Sequence, residues 1–140
     1  MHQKNLKTFF SLFLTFTLCL CFLGGCNKNK LPAKTGEIEY TIVTGSDIPK
    51  ELKQLIKERK ENPFELTFSD NAYLYLIKGY GKQKSGGYSI KINQLYEAKD
   101  TLVFDTDLIG PKVKEQVSET PSYPYIVLKA KLRELPVTFY

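Results

Sequence analysis

The chain has 140 residues, with 20 Lys or Arg, 15 Asp or Glu, 3 Cys, 1 His, 1 Met and no Trp. The single His is residue 2, and the three Cys, at positions 19, 21 and 26, lie in or at the end of one apolar stretch. If that stretch is a processed leader, the remaining domain has no His and no usable thiol. This composition excludes Ser-His-Asp and Cys-His catalysis, zinc held by His or Cys, redox CxxC chemistry and a disulfide framework.

The first 25 residues have the features of a secretory leader. Lys4 and Lys7 form a basic start, and residues 9–23 (FFSLFLTFTLCLCFL) carry no charge. This apolar run is shorter than the roughly 20 residues that span a bilayer, which favours a signal peptide. The segment Leu23-Gly24-Gly25-Cys26 resembles the lipobox of bacterial lipoproteins, in which the peptidase cuts before a diacylglyceryl cysteine. The alternative is an uncleaved N-terminal anchor.

Lipidation of Cys26 predicts a protein held on the extracytoplasmic face of the cell membrane by two or three acyl chains, because one chain alone binds marginally. Loss of residues 1–25 removes two lysines and no acid, so the formal net charge falls from +5 to +3. This mild excess does not indicate a nucleic-acid partner. Residues 26–36, with Pro32 and Gly36, are predicted to be the lipidated Cys and a flexible tether. Residues 37–140 are predicted to form a single domain.

The domain is predicted to begin with a strand followed by a helix. Residues 37–44 (EIEYTIVT) are rich in β-branched and aromatic residues, which is typical of a strand. Ser46-Asp47-Ile48-Pro49 is a helix-start signal, and apolar residues then recur at helical spacing at Leu52 and Ile56. We expect a helix over 49–61, ended by Asn62-Pro63.

After the helix the apolar period changes from about 3.6 to 2, which predicts strands. In residues 125–133 the apolar side chains alternate with Lys129, Lys131 and Arg133, so we expect one packed and one solvated face. One helix and six to seven strands favour an α+β fold, with an antiparallel sheet, rolled or sandwiched, and the helix on it. An all-β sandwich or barrel is the alternative. The later strands are predicted at 64–69, 73–80, 88–97, 101–108, 125–133 and 137–140.

The segment from Gly79 to Tyr88 (GYGKQKSGGY) contains four glycines and two lysines between two predicted strands. Its composition indicates a hairpin connection, or a loop that a partner backbone approaches closely. A phosphate-binding loop needs its Lys after the last Gly and a helix thereafter. Here both lysines precede the glycine pair and a strand follows, so nucleotide binding is not predicted.

Two blocks of the sequence carry a family resemblance. Residues 81–90 (GKQKSGGYSI) resemble the G-x-K-P-T-G-G-Y-x-I signature of the PrcB C-terminal family, and 123–127 (YPYIV) resembles the Y-P-Y strand near that family's end. Lys84 replaces the usual Pro and Ser85 the usual Thr. The resemblance extends over residues 37–140. It implies an accessory lipoprotein that associates with and stabilises a surface subtilisin-like protease without catalysis of its own.

Catalysis is not expected from the residues themselves. Asp105 and Asp107 lie about 7 Å apart on one strand face, a spacing that suits a carboxylate pair or two calcium ligands. No further ligand accompanies them, so we interpret them as solvated residues near a strand end. Ser85 has no His to activate it. No enzyme activity, metal or cofactor is therefore predicted.

Binding is the favoured function. The glycine-rich segment from Gly79 to Tyr88 presents tyrosine rings and backbone N–H donors at low entropic cost, which are features of protein interfaces. We expect it to contact a secreted or surface protein, and a subtilisin-like protease is one candidate. A second hypothesis is an inhibitor loop over Ser85–Tyr88, which is similar to the T-T-G-Y loop of chagasin-type cysteine-protease inhibitors. A third is binding of cell-wall polyanions or glycans by Tyr residues and the row Lys129, Lys131 and Arg133. The predicted partner-binding residues are Tyr80, Ser85, Gly86, Gly87 and Tyr88.

Overall fold

The computed structural model describes residues 30–112 and 117–140, and in these residues the chain forms eight β-strands and one α-helix. The helix α1 spans Lys50–Arg59 and follows a 3-10 turn at Gly45–Asp47. The strands are β1 (Lys34–Glu37), β2 (Tyr40–Ile42), β3 (Pro63–Ser69), β4 (Tyr73–Tyr80), β5 (Ser89–Ala98), β6 (Leu102–Ile109), β7 (Tyr125–Lys131) and β8 (Val137–Phe139).

The described strands are arranged in two four-stranded sheets. Sheet 1 has the order β1-β5-β6-β8 and sheet 2 the order β2-β7-β4-β3. Every neighbouring pair is antiparallel except β6 and β8, which run parallel. The α+β prediction is confirmed in its sandwiched form, with no closed barrel. The expectation of a wholly antiparallel sheet is wrong for β8, because the chain crosses over after β7 and returns beside β6.

The main core lies between the two sheets. Period-2 alternation directs Leu74 and Leu76 of β4 and Leu128 of β7 towards Leu95 and Phe104 of sheet 1, and all are buried. Phe139 of β8 packs on Phe104 with ring centroids 5.7 Å apart. Burying a side chain of this size contributes about 1.5–3 kcal/mol, so this inter-sheet layer fixes which face of each strand points inwards.

Helix α1 packs on the outer face of sheet 2. Leu52 and Ile56 lie four residues apart on one helix face and pack on Tyr75, Ile77 and Val127. The predicted apolar stripe is therefore confirmed, and the helix starts and ends within two residues of the predicted bounds. Its last turn is closed by the Lys60 N–H, which donates to the Ile56 carbonyl at 3.0 Å, and Pro63 then begins β3.

Two predicted segments differ from the structure near the N-terminus. The strand predicted over 37–44 is split into β1 and β2, and Ile38, between them, is buried in the inter-sheet core. The flexible tether predicted over 26–36 is wrong from residue 31 onwards. Leu31 packs on Tyr96, Ala98 and Val103 at the outer face of sheet 1, and the Tyr96 hydroxyl donates to the Pro32 carbonyl at 2.6 Å.

The clean alternation of residues 125–133 is also only partly realised. Leu128 and Ala130 are buried between the sheets as expected, but Val127 on the opposite face is buried under α1. The face predicted to be solvated is therefore covered at one end, because the helix lies over it.

The predicted signal peptide (1–25), the lipidation site Cys26 and residues 27–29 lie outside the described residues. Among residues 30–112 and 117–140 there is no helix with the length and apolar character needed to cross a bilayer.

Candidate functional site

The glycine-rich segment connects the two sheets. Strand β4 before it belongs to sheet 2, and β5 after it belongs to sheet 1. The predicted hairpin is therefore wrong: β4 pairs with β3 and β7, and β5 pairs with β1 and β6. The segment turns the chain from one layer of the sandwich to the other, a geometry that local composition does not encode.

Hydrogen bonds hold this crossover loop against residues 117–124 of the same chain. Gln83 and Ser122 exchange two backbone hydrogen bonds, at 2.8 and 3.2 Å. The Gly86 N–H donates to the Ser118 carbonyl at 2.8 Å, and the Ser122 hydroxyl donates to the Ser85 carbonyl at 2.6 Å. The backbone donor of Gly86 is thus already used within the domain.

Gly87 is exposed, but the position that a Cβ would occupy faces the same neighbouring segment. Its φ is +82°, a region that side-chain-bearing residues rarely adopt. A Cβ at this position would lie 2.4 Å from Cγ1 of Val117 and 3.0 Å from Cβ of Pro111. Close packing of the chain on itself therefore accounts for this glycine.

Tyr80 joins the two sheets at the start of the crossover loop. Its hydroxyl lies 2.8 Å from both the carbonyl oxygen and Oγ1 of Thr106. Thr106 is a buried polar residue of β6, and this contact across the sandwich gives its hydroxyl a partner. The side chain of Tyr80 is half-buried, and its hydroxyl forms its hydrogen bonds within the domain.

The crossover loop still presents part of its surface to solvent. Lys84 is exposed, and Ser85 and Tyr88 are half-buried. The five predicted partner-binding residues therefore lie together, but the contacts of Tyr80, Gly86 and Gly87 are largely internal. Their role in binding stays a prediction, and Ser85 and Tyr88 are the members with accessible side chains.

Asp105 and Asp107 lie on the outer face of sheet 1, as their spacing predicts. The Asn93 amide donates to Asp107 at 2.9 Å and lies 3.4 Å from Asp105, and the Gln94 amide lies 3.3 Å from Asp105. Asn93 occupies a bulge between Ile92 and Gln94, which turns its side chain towards both carboxylates. Among the described residues no group of three or more His, Cys, Asp or Glu is placed to hold a metal ion.

A groove lies elsewhere in the described domain, on the outer face of sheet 2 beside β2. It has a volume of about 560 Å³. Thr41 of β2, Tyr73 of β4 and Lys129 and Lys131 of β7 line it, and Asp47 comes from the 3-10 turn. We call it the β2 groove.

The charges of the β2 groove are mixed. The Lys129 ammonium lies 3.8 Å from the centre of the Tyr73 ring, a cation–π contact. Glu39 and Asp47 line the same groove, so the two ammonium groups are balanced by two carboxylates. Arg133, the third member of the predicted basic row, lies 3.4 Å from Glu97 of sheet 1 instead. The row is not a continuous cationic strip.

A smaller apolar notch of about 210 Å³ lies where β2 ends and β7 continues. Ile42, Gly45 and Tyr125 line it. The side chain of Ile42 is 52% exposed and that of Tyr125 is 42% exposed. We call it the Ile42 notch. Sequence reasoning missed both depressions, although the tyrosines and lysines that line them were visible as outward-facing residues of predicted strands.

Among the described residues, three groups have clearly shifted pKa values. Hydrogen bonds from the N–H groups of Ala72 and Tyr73 lower the pKa of Asp70, and its contact with the Tyr75 hydroxyl adds to this. Burial raises the pKa of Tyr75. Burial also raises the pKa of Tyr96, with further contributions from Tyr140 and Asp105. All three shifts arise from structural contacts.

Comparison with known proteins identifies one family. The family model described as PrcB C-terminal matches residues 74–131, which run from β4 to β7 and include both blocks that carry the resemblance. No curated protein matched the chain, and no solved structure matched it. The predicted resemblance is confirmed within the matched segment, which is narrower than the 37–140 expected. Residues 74–131 of the chain thus match the PrcB C-terminal family.

Proposed function

We propose that the chain is a lipoprotein, anchored through acyl groups on Cys26 to the extracytoplasmic face of the membrane, that binds a secreted or surface protein as a non-catalytic accessory module. The resemblance to the PrcB C-terminal family makes a subtilisin-like protease a candidate partner. The lipobox-like segment before Cys26 supports the anchor.

The observation that carries the binding role is the set of exposed apolar side chains on sheet 2, of which Tyr40 and Ile42 lie on one face and Tyr73 and Tyr125 on the other. Among the described residues seven large apolar side chains are exposed, and four of them lie on β2, β4 and β7 of sheet 2. Tyrosine is enriched at protein interfaces, since it offers a large rigid contact area at low entropic cost. The four are Tyr40, Ile42, Tyr73 and Tyr125.

The anchor is tested by metabolic labelling of the full chain with a radiolabelled fatty acid in its native cells. Cys26→Ala should abolish labelling and leave unprocessed precursor. Cys21→Ala, a cysteine within the apolar run, is the matched control and should be labelled normally. Normal labelling and processing of Cys26→Ala would overturn the lipoprotein proposal.

The accessory role is tested by chemical cross-linking on intact cells. The full chain should yield a defined cross-linked species containing one other secreted or surface protein, and that protein should be lost or degraded when the chain is deleted. Absence of any such species would overturn the accessory function. Lys84→Ala and Tyr88→Ala test whether the crossover loop contacts the partner. Both substitutions remove a solvent-accessible side chain and leave Gly87 unchanged.

A further inference from the structure

We infer that β2 is an open docking edge, to which an extended segment of the partner protein adds as a further strand of sheet 2. This inference rests on the proposed accessory function and identifies the surface through which the chain binds its partner. Strand addition of this kind combines main-chain hydrogen bonds with pockets for alternate side chains.

The backbone of β2 is available for such pairing. The Val43 N–H donates to the Val127 carbonyl at 3.0 Å, and Ile42 lies opposite Leu128. Because bonded and non-bonded residue pairs alternate in an antiparallel ladder, the N–H and C=O groups of Tyr40 and Ile42 point away from β7. No described strand lies on that side of β2.

Two of the other three edges of the described sheets carry features that oppose pairing and that β2 lacks. Edge strands commonly carry charges, proline or a bulge that prevent pairing with another chain. Strand β1 has Lys34, Glu37 and a register shift, and β3 begins with Pro63 and contains Glu65. Strand β8 is the third edge, and it differs from β2 in that its Val137 and Phe139 side chains are partly buried against the core.

The side chains of β2 itself favour contact. The strand is Tyr-Thr-Ile, without charge or proline. Tyr40 is 40% exposed and Ile42 is 52% exposed, although both lie on the same face as buried residues of β7. An added strand would cover these two side chains and pass between the β2 groove and the Ile42 notch.

The chemistry of the flanking depressions indicates a polypeptide occupant. The β2 groove carries two ammonium groups and two carboxylates, so a polyanion gains no net attraction from it. The Ile42 notch, lined in part by Ile42, Ile48 and Tyr125, has the volume to receive one apolar side chain of the added strand. A second copy of the chain would offer only another three-residue β2 edge, whereas a longer extended segment of a partner can pair with β2 and also reach the flanking depressions.

The probe for this edge is a 12-residue peptide selected from a random display library against the full chain in detergent micelles. When the peptide saturates the protein, amide exchange of Tyr40 and Ile42 should slow at least tenfold, whereas that of Thr41 and Val43 should change little. Peptides N-methylated at alternate residues should lose binding in one register and keep it in the other. Binding that survives methylation in both registers would overturn edge addition.

A pair of matched variants locates the surface. Ile42→Lys should weaken peptide binding at least tenfold, because a charge at the edge opposes pairing. Ile109→Lys changes another exposed isoleucine at the end of β6, 45% exposed, and should alter binding less than twofold. Equal effects of the two variants, or dimerisation of the chain through β2, would overturn the inference.

The outcomes also separate this inference from the accessory function. If the native partner cross-links equally well to the wild type and to Ile42→Lys, the docking edge is wrong while the accessory function stands. If no partner cross-links to the wild type, the accessory function itself fails, whatever the peptides do.

Discussion

The hydroxyl of Tyr80, at the end of β4, lies 2.8 Å from the carbonyl oxygen and the side-chain hydroxyl of Thr106 on β6. This contact crosses the sandwich at the point where the chain passes from one sheet to the other. It satisfies polar groups of a buried residue, so its loss would leave them without a partner away from water.

Tyr80→Phe should lower the free energy of unfolding by about 1–3 kcal/mol, the cost of leaving a buried polar group unsatisfied. Urea unfolding of the full chain in mild detergent measures this change. Tyr73→Phe is the matched control, since Tyr73 is 40% exposed and its hydroxyl should matter by less than about 0.5 kcal/mol. Equal effects of the two substitutions would contradict a structural role for the Tyr80 hydroxyl.

Gly86 and Gly87 are adjacent but should respond differently to alanine. Gly87→Ala places a Cβ 2.4 Å from Val117 at a φ of +82°, so we expect a loss of about 1–3 kcal/mol in the free energy of unfolding. A Cβ on Gly86 would lie 3.5 Å from its nearest neighbour, Cβ of Ser118, which is ordinary contact. Gly86→Ala should therefore cost clearly less, and the reverse order would show that the loop packs differently.

The N-terminal strap, residues 31–34, should loosen when the Tyr96 hydroxyl is removed. That hydroxyl donates to the Pro32 carbonyl at 2.6 Å, and losing about 1 kcal/mol of local stability raises the open population roughly fivefold. In Tyr96→Phe, trypsin should cleave after Lys34 correspondingly faster, as followed by mass spectrometry. Tyr88→Phe, remote from the strap, should leave that rate unchanged.

The β3–β4 turn should make stability depend on acid pH through Asp70. Its pKa is lowered by the N–H groups of Ala72 and Tyr73, so the folded state binds the proton less well than the unfolded state does. The stabilisation is therefore complete above the ordinary value of 3.8 and is lost as the pH falls through the lower folded-state pKa.

Asp70→Asn separates the charge from the turn geometry, because the amide oxygen can still accept both N–H groups. Urea midpoints between pH 6 and pH 2 should fall less steeply in this variant than in the wild type. Asp105→Asn, a substitution on the other sheet, is the comparison variant for the same urea midpoints. A wild-type profile that parallels Asp70→Asn would contradict the assignment to Asp70.

Much of the fold could be predicted from local pattern. The stripe of Leu52 and Ile56 predicted α1, and period-2 alternation predicted the bounds of β3 to β8 within about two residues. This was possible because the spacing of apolar residues along the chain determines which side chains share one face of a helix or strand. The glycine-rich and Y-P-Y blocks predicted the family that the match over residues 74–131 confirms.

The composition by itself determined that residues 27–140 contain no histidine and no cysteine, which removes from that segment the catalytic chemistry that depends on these side chains. Only the tertiary structure decided that β4 and β5 belong to different sheets, that β8 runs parallel to β6, and that residues 31–37 pack on the domain. These relationships join residues far apart in sequence, such as Tyr96 with Pro32 and Tyr80 with Thr106. The exposure of β2 has the same origin, because a strand becomes an edge only through the order in which strands assemble.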